Sequence, residues 1–333
     1  MSSDLDAQPS GDVPEPVRNA PDLTADGVGG RIDRLFGRVA LAAGLTVLLV
    51  LLLIAVVTTN KAWPAFSELG TSYFFGTEWV PSEGKYGIIP LVFGTILVSV
   101  LAVIVAVPIS VGIALFVTEV VHRRARGAVT TTIDLLAAVP SVVFGLWGFY
   151  YLIPRFQSTF NAISDAVAGI PVLSTIFGPS TGSSYTTAAL VLALMITPII
   201  TSVTREVFTT VPVNDKAGAL ALGATRWEMI RGVVFPHSTG GMTGAVMLGL
   251  GRAMGETVAV ALLIGARPDI TLNIFAVGET MPAQIFRNLS EADDLFRAAL
   301  IGLGVVLFVL TVVVNVSARR IVVVVDRRFK GAT

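Results

Sequence analysis

The chain has 333 residues, of which 53% are hydrophobic and only 14% are charged, and its formal net charge is zero. Soluble domains carry about 25% charged residues, so this deficit predicts that lipid is the main solvent of the chain. The balanced charge gives no indication of a nucleic-acid partner. Because cysteine is absent, disulfides, thiolate metal sites and cysteine nucleophiles are excluded. The two histidines, His122 and His237, are far apart in sequence, and we predict no metal site.

Residues 1–36 are rich in Asp, Pro, Gly and Ser and predict a disordered cytoplasmic tail with no secretory signal peptide. A bilayer-spanning helix needs roughly 20 mostly apolar residues. Segments that meet this condition are 39–57, 88–117, 133–153, 187–208, 242–264 and 298–316. The predicted fold class is therefore all-α, a polytopic membrane protein with six transmembrane helices.

Three of these segments contain a proline, namely Pro108, Pro140 and Pro198. In lipid such prolines are tolerated as kinks when neighbouring helices satisfy the freed carbonyls, and we interpret each as a structural kink. The second segment is longer than a span requires, so it is predicted to tilt or to extend beyond the bilayer.

Lysine and arginine predict the orientation of the chain, because cytoplasmic loops carry an excess of both. With the N-terminus inside, the inner segments carry about 16 of these residues and the outer loops about six. Both termini are therefore predicted to be cytoplasmic, in a multi-pass protein of the cytoplasmic membrane. The basic tail at 317–333 follows the same rule, which is favoured over a specific lipid or nucleic-acid role.

Between the third and fourth predicted spans, the sequence predicts an amphipathic helix on the outer membrane face. Its apolar residues recur at helical spacing and are Phe156, Phe160, Ile163, Val167 and Ile170. Anchoring in the membrane interface is favoured over docking of an external protein.

The sequence contains no loop of the type that cradles ATP phosphates. The Gly-Lys pair in a plausible loop, Gly84-Lys85, is followed by Tyr86 where the phosphate-binding pattern requires Ser or Thr. Any ATP-driven work must therefore come from another polypeptide.

The cytoplasmic loop between the fourth and fifth spans predicts a short, rigid elbow. Asn214 is a suitable helix cap for a helix over 217–222, and Gly223 ends or bends that helix. A second short helix begins at Thr225, and Pro236 opens the fifth span. Small residues in this loop would let another protein approach closely.

This loop resembles the coupling loop of ABC importer permeases, whose pattern is Glu-Ala-Ala, three residues, Gly, nine residues, then Ile-x-Leu-Pro. The matching positions are Ala217, Gly218 and Ala219, then Gly223, then Val233, Phe235 and Pro236. The departure is Ala217, which stands where the family has glutamate. The resemblance implies that Asp215 or Glu228 substitutes for any salt bridge made by that glutamate. A plain helix hairpin is the less favoured alternative.

The fifth predicted span carries a charged pair in an otherwise apolar segment. Arg252 and Glu256 are four residues apart and would share one helical face. A charge at the centre of a span costs about 2.5–3.5 kcal/mol on insertion scales, so the pair needs a partner or a wet cavity. One interpretation is a buried pair that locks helix packing. The favoured one is an anion station, in which the arginine fork matches a tetrahedral oxyanion, Glu256 weakens the grip, and Thr257 can add a hydroxyl.

Small residues beside the charged pair predict a close helix contact. Gly251 and Gly255 form a small-x-x-x-small pair next to the charged face. A partner helix packed there would run beside the transport pathway.

The segment Gly-Arg-Ala-Met-Gly-Glu-Thr at 251–257 resembles the signature of phosphate permeases of the PstC/PstA type, and the PstC branch is favoured. The segments 134–148 and 197–208 share the resemblance, which covers 88–316. It implies a type I ABC importer permease domain over 88–316, after a first span and external loop at 37–87. The chain itself would not be an enzyme and would bind no cofactor.

The resemblance also implies partners. They are a second permease of the PstA type, two PstB-like ATPase subunits that use ATP and Mg, and an external PstS-like phosphate-binding protein. Two rival functions stay open, namely an ABC permease for another oxyanion or an organic phosphate, and an ion-coupled secondary carrier. The carrier would need no coupling loop and would more often show inverted repeats or broken helices. A structural scaffold would leave the charged pair unexplained.

Overall fold

A computed structural model describes residues 28–330, so the predicted tail at 1–27 and the last three positions lie outside the described residues. Side chains are described for 33–320 apart from Arg123. The helices are α1 (Val28–Leu69), α2 (Thr71–Phe75), α3 (Ile89–Leu115), α4 (Arg123–Ala137), α5 (Ser141–Trp147), α6 (Ile153–Val167), α7 (Pro171–Ile176), α8 (Tyr185–Thr209), α9 (Val213–Ala221), α10 (Arg226–Met229), α11 (Phe235–Gly255), α12 (Val258–Leu263), α13 (Met281–Asn288) and α14 (Asp294–Lys330).

Short irregular elements complete the chain. A small antiparallel hairpin pairs β1 (Trp79–Val80) with β2 (Lys85–Tyr86) across a 3₁₀ turn at Pro81–Glu83. Turns of π-helix occur at Phe116–Val120, Gly148–Leu152 and Ile230–Val234. The contacts divide the chain into two units, 1–54 and 55–333. In the first unit, α1 is mostly apolar, and the side chains of residues 33–54 are exposed.

The long apolar helices agree with the predicted spans. Within the described residues, α1, α3, α8 and α14 are each long and apolar enough to cross a membrane. The third predicted span, 133–153, is instead a bent pair, in which Arg124–Ala137 and Ser141–Val167 meet at 82°. Pro140 therefore does more than kink a continuous helix. It lacks an N–H and disfavours helix in the residue before it, so α4 ends and α5 begins on either side of the proline.

The core of the second unit is built by α3, α8 and α11, which pack along one another. Small side chains such as Ala102, Ala106 and Ala188 are fully buried there, which allows the helix backbones to approach closely. Buried Ser110 donates a hydrogen bond to the Thr197 carbonyl at 3.1 Å, so polar contacts also join α3 to α8. Packing against α3 and α8 holds α11 in place and thereby positions the charged pair.

The predicted amphipathic helix is present as α6. Phe160 is buried, and its ring stacks on Phe275 with centroids 4.1 Å apart. Ile163 is exposed, and Ile170, which is also exposed, lies beyond the end of α6 at Val167. The apolar face is thus partly covered by the chain's own loop before α13, and the remaining exposed side is where anchoring or docking stays a prediction.

Candidate functional site

The helix that carries the charged pair is broken at the pair itself. The sequence predicted one continuous span over 242–264, but α11 ends at Gly255 and α12 begins at Val258. Glu256 adopts extended backbone angles, φ −69° and ψ 128°, and its Oε1 accepts a hydrogen bond from the Ala259 N–H at 3.5 Å. Glycine weakens the end of α11, and the Glu256 carboxylate caps the start of α12. The prediction of one continuous helix over 242–264, with Arg252 and Glu256 on one of its faces, is therefore wrong, because Glu256 lies at the break.

The charged pair survives this break. Arg252 Nη2 lies 3.6 Å from Oε2 of Glu256. The side chain of Arg252 is 49% exposed, whereas that of Glu256 is only 6% exposed. The two charges therefore sit in unlike surroundings, with the carboxylate inside the protein and the guanidinium at its surface.

Arg252 faces a large open cavity. Its volume is about 1110 Å³, and it lies between α8, α11 and α14. Ile199 and Leu248 contribute apolar surface, while Arg319 and Arg320 add two further cations at the α14 side. A tetrahedral oxyanion fits this space with room for water, so the guanidinium is accessible to such a guest in the isolated chain.

Glu256 faces the opposite side of the helix break. The carboxylate lies beside a closed gap lined by Thr95, Ser99 and Thr280, which is too small to hold a water molecule. The carboxylate is therefore enclosed in the protein, whereas the guanidinium lies at the open cavity.

The other predicted residues of this site lie close by. Thr257 is partly buried and donates a hydrogen bond to the Gly255 carbonyl at 3.2 Å. A Cβ added to Gly251 or Gly255 would meet nothing within 4 Å, so no helix of the described chain packs on them. Their predicted role in contacting a partner helix stays a prediction. Inside the chain, the close approach is made by Gly249, whose added Cβ would lie 2.6 Å from Ile200 of α8.

The predicted elbow is present, with one correction. Asn214 is not the helix cap, because α9 already begins at Val213, after Pro212. Gly223 has φ of 90°, a left-handed conformation that glycine adopts readily, and it ends α9 as predicted. Pro236 lies in the first turn of α11.

The second half of the elbow is fixed by a reciprocal cap. Thr225 Oγ1 accepts a hydrogen bond from the Glu228 N–H, and the Glu228 carboxylate accepts one from the Thr225 N–H at 2.8 Å. Hydrogen bonds from the Thr225 backbone and hydroxyl lower the pKa of the Glu228 carboxyl. Glu228 is thus already engaged at the start of α10. We call α9, the Gly223 turn and α10 the coupling elbow.

The coupling elbow presents apolar side chains to solvent. Leu222 is 92% exposed, and Val213 and Trp227 are also largely exposed. Ala217 and Gly218 lie on the same exposed segment, while Ala219 is partly buried against the cluster around Phe208. Exposed apolar groups of this size on a short rigid element are typical of a surface that binds another protein.

The sequence matches known transport proteins along most of its length. Residues 106–331 match the family described as the binding-protein-dependent transport system inner membrane component. The chain belongs to this family.

Curated relatives of this inner membrane component are named "Phosphate transport system permease protein PstC". The protein from Xylella fastidiosa is 39% identical over 90% of this chain and 93% of its own length. The protein from Mesorhizobium japonicum is 39% identical over 89% of this chain and 91% of its own. The PstC 2 protein from Mycobacterium tuberculosis is 39% identical, covering 87% and 92%. The resemblance to PstC-type permeases is thereby confirmed.

A solved structure shows a similar fold. It is a bacterial ABC transporter involved in the import of the acidic polysaccharide alginate, with a TM-score of 0.54 and 15% sequence identity. The match covers 90% of this chain and 99% of that one. The predicted fold class, an all-α polytopic ABC permease, is confirmed apart from the two broken spans.

A buried carboxylate of this inner membrane component was missed by the sequence reasoning. Glu279, in the loop before α13, is only 1% exposed, and its Oε1 lies 3.5 Å from Arg287 Nη2. The same oxygen accepts a hydrogen bond from the Thr280 N–H at 3.0 Å, while Oε2 has no hydrogen-bond partner among the described residues. A signal was available, because the tripeptide Gly-Glu-Thr occurs at 278–280 as well as at 255–257.

The backbone at Glu279 is packed tightly against α3. A Cβ added to Gly94 of α3 would lie 1.9 Å from the Glu279 carbonyl oxygen. The Met281 N–H donates a hydrogen bond to Thr95 Oγ1 at 3.0 Å, and the Arg287 guanidinium also donates to the Ala261 carbonyl at 2.7 Å. The loop before α13 is thus fastened to α3 and α12, with Glu279 enclosed between them.

Burial raises the pKa of the Glu279 carboxyl to about 7, while the Arg287 guanidinium acts in the opposite direction. The pKa in the folded protein exceeds the ordinary value of 4.5. The stability contributed by the protonated carboxyl is therefore greatest below pH 4.5. It is lost as the pH rises through about 7. We therefore expect thermal unfolding of the detergent-solubilised protein to shift to lower temperature between pH 6 and pH 8.

Glu279→Gln should remove most of this pH dependence and raise the unfolding temperature at pH 8 above that of the unmodified protein. Tyr185 of α8 and Arg287 of α13 face the carboxyl and stay unchanged in this variant. Glu291→Gln, which changes an exposed carboxylate, serves as the matched control. Equal pH slopes for the unmodified protein and Glu279→Gln would contradict the assignment.

Proposed function

We propose that this inner membrane component forms part of the transmembrane pathway of an ATP-driven importer of inorganic phosphate. The observation that carries the proposal is the half-exposed Arg252 guanidinium at a cavity of about 1110 Å³, with a buried carboxylate 3.6 Å behind it. The names of the curated relatives support phosphate as the transported anion.

The chemistry of the pair suits transient binding. Arginine offers a rigid fork of donors that matches two oxygens of a tetrahedral anion. Glu256 balances the guanidinium when the pathway is empty and repels the anion when it is filled, which favours release. Its carboxylate can also accept a hydrogen bond from the proton of hydrogen phosphate, a donor that sulfate lacks.

The driving force comes from partner chains in this proposal. The coupling elbow, with Ala217, Gly218, Ala219 and Gly223, meets one of two PstB-like ATPase subunits, which bind ATP and Mg. A PstA-like permease packs beside Gly251 and Gly255, and an external PstS-like protein delivers phosphate. Both termini lie in the cytoplasm, which places the elbow on the ATPase side.

The test is phosphate uptake by the complete complex. Purified permeases, ATPase and binding protein in proteoliposomes should take up radiolabelled phosphate only when ATP is present. Uptake of sulfate or an organic phosphate in preference to phosphate would favour the rival ABC permease. Uptake that follows an ion gradient without ATP would favour a secondary carrier.

Glu256→Gln should leave assembly intact and slow transport, because the carboxylate that weakens the grip of Arg252 is gone. We expect a lower maximal uptake rate together with more phosphate retained on the washed complex. Glu291→Gln again provides a control at an exposed carboxylate. Uptake kinetics identical to those of the unmodified complex would remove Glu256 from the mechanism.

A further inference from the structure

An ion pair joins the coupling elbow to the core helices. Lys216 Nζ lies 2.6 Å from Glu119 Oε1, and the two residues are 97 positions apart in sequence. Lys216 is on α9, whereas Glu119 lies in the π-helical turn Phe116–Val120 that continues α3. Their side chains are only 18% and 15% exposed, so the pair is largely shielded from water. A shielded pair is stronger and less sensitive to salt than an exposed one.

The ion pair stands out because α9 has few other attachments. None of the α9 residues is buried. Ala219 is only partly buried, against a cluster that contains Phe208 and Met229. Apolar packing of this extent leaves α9 able to shift or tilt, whereas a short charged contact fixes the distance between two defined points.

Glu119, the other residue of the pair, is connected through α3 to the helix that carries Arg252. From the π-helical turn, α3 runs back to Ile89 and packs along both α8 and α11, and α11 carries Arg252. The turn itself is held on its far side by Arg126, whose guanidinium donates to the Thr118 carbonyl. Single π-helical turns occur frequently at functional sites. A displacement applied at Glu119 would therefore act on the helix that borders the charged pair.

We propose that the Lys216–Glu119 ion pair transmits movement of the coupling elbow to α3 and so couples the partner ATPase to the transport site. This inference rests on the proposed importer function. Lys216 and Glu119 are positioning residues, because neither contacts the transported anion. The pair also offers an internal charged contact beside Ala217. Ala217 is the position at which the coupling-loop pattern has glutamate.

The test is charge reversal in the assembled transporter. Lys216→Glu and Glu119→Lys should each lower the amount of phosphate moved per ATP hydrolysed by at least about tenfold, because like charges then push the elbow away from α3. The double variant restores opposite charges and should recover the ratio to within about threefold of the unmodified complex. Single variants with an unchanged ratio, or a double variant no better than either single one, would overturn the proposal.

Milder variants keep the test informative if charge reversal prevents assembly. Lys216→Gln and Glu119→Gln remove one charge each at similar length and should also lower the transport-to-ATP ratio. A parallel fall in transport and ATP hydrolysis, with the ratio unchanged, would show a purely structural role and contradict the proposal. Glu291→Gln, at an exposed carboxylate outside the coupling elbow, is the control and should keep the ratio.

A second measurement does not depend on the identity of the cargo. The chain has no cysteine, so Met247→Cys places one thiol in the cavity beside Arg252. Its labelling by a water-soluble reagent should change on ATP addition in the unmodified background and not in Lys216→Gln. If phosphate uptake fails in the unmodified complex while this labelling pattern holds, the proposed cargo is wrong and the coupling role stands. An ATP response that persists in Lys216→Gln would reject the coupling role.

Discussion

Arg252→Gln is expected to abolish phosphate uptake while the transporter still assembles and hydrolyses ATP. Glutamine keeps a similar length but loses the positive charge and the fork of donors. A hydrogen-bonded contact to a charged group contributes about 1.5–3 kcal/mol, so losing two such contacts to the anion lowers uptake by a hundredfold or more. Uptake of radiolabelled phosphate into proteoliposomes at fixed complex concentration measures the effect.

Two further variants separate the role of the charge from that of its geometry. Arg252→Lys keeps the charge without the fork, so we expect partial uptake, about tenfold below the unmodified complex. The double variant Arg252→Gln/Glu256→Gln removes the stranded carboxylate as well. Uptake restored in the double variant would show that Arg252 only neutralises Glu256 and would exclude a direct contact with the anion.

The control for Arg252 is an arginine outside the pathway. Arg267 is exposed in the loop after α12, where it pairs with Asp269. Arg267→Gln should leave uptake within about twofold, because exposed ion pairs contribute little. Equal losses in Arg252→Gln and Arg267→Gln would show a general electrostatic effect on anion approach rather than a site at Arg252.

The sequence predicted those features that depend on local composition. Runs of apolar residues are enough to place α1, α3, α8 and α14, because each one exceeds the length of a span without help from its neighbours. Gly223 was predicted to end α9 because a glycine after a helix-forming run is a local stop signal, and its φ of 90° agrees. Features of this kind need no knowledge of which segments meet in space.

The breaks in the third and fifth spans could not be predicted from hydropathy. Averages over a window stay apolar across a bend, so 133–153 and 242–264 resembled continuous helices. The break at Glu256 depends on the capping of α12 by its carboxylate and on the packing of Thr95 and Thr280 beside it. These contacts come from distant parts of the chain.

Long-range pairs were also beyond the sequence reasoning. The sequence left Asp215 or Glu228 to supply the charge missing at Ala217, because only neighbouring residues could be considered. In the structure Glu228 caps α10, and a pair that the sequence did not predict joins the elbow to α3 through Lys216. Periodicity shows which face of a helix is polar, but it does not identify the charged partner on another helix.

Gly223→Val is expected to uncouple the elbow and to cause a large loss without any change in the transport pathway. The Gly223 N–H donates to the Leu220 carbonyl at 3.0 Å and the Ala224 N–H donates to the Ala219 carbonyl at 3.2 Å, a pattern that closes α9 with a left-handed residue. A left-handed conformation costs about 1–2 kcal/mol for an ordinary residue and more for a β-branched one. A Cβ at this position would meet nothing within 4 Å, so the effect comes from the backbone and not from a clash.

The strain of Gly223→Val should open the end of α9 and displace Leu222, the most exposed apolar side chain of the elbow. ATP hydrolysis stimulated by loaded binding protein should then fall at least about tenfold, whereas Gly223→Asn, which tolerates the left-handed region, should lose much less. Gly218→Ala is the matched control, since it lies in α9, has open space for a Cβ and restores the alanine of the coupling-loop pattern. If Gly223→Val keeps full stimulation of ATP hydrolysis, the turn has no part in coupling. A loop without the fixed left-handed turn would then transmit the movement as well as the unmodified elbow does.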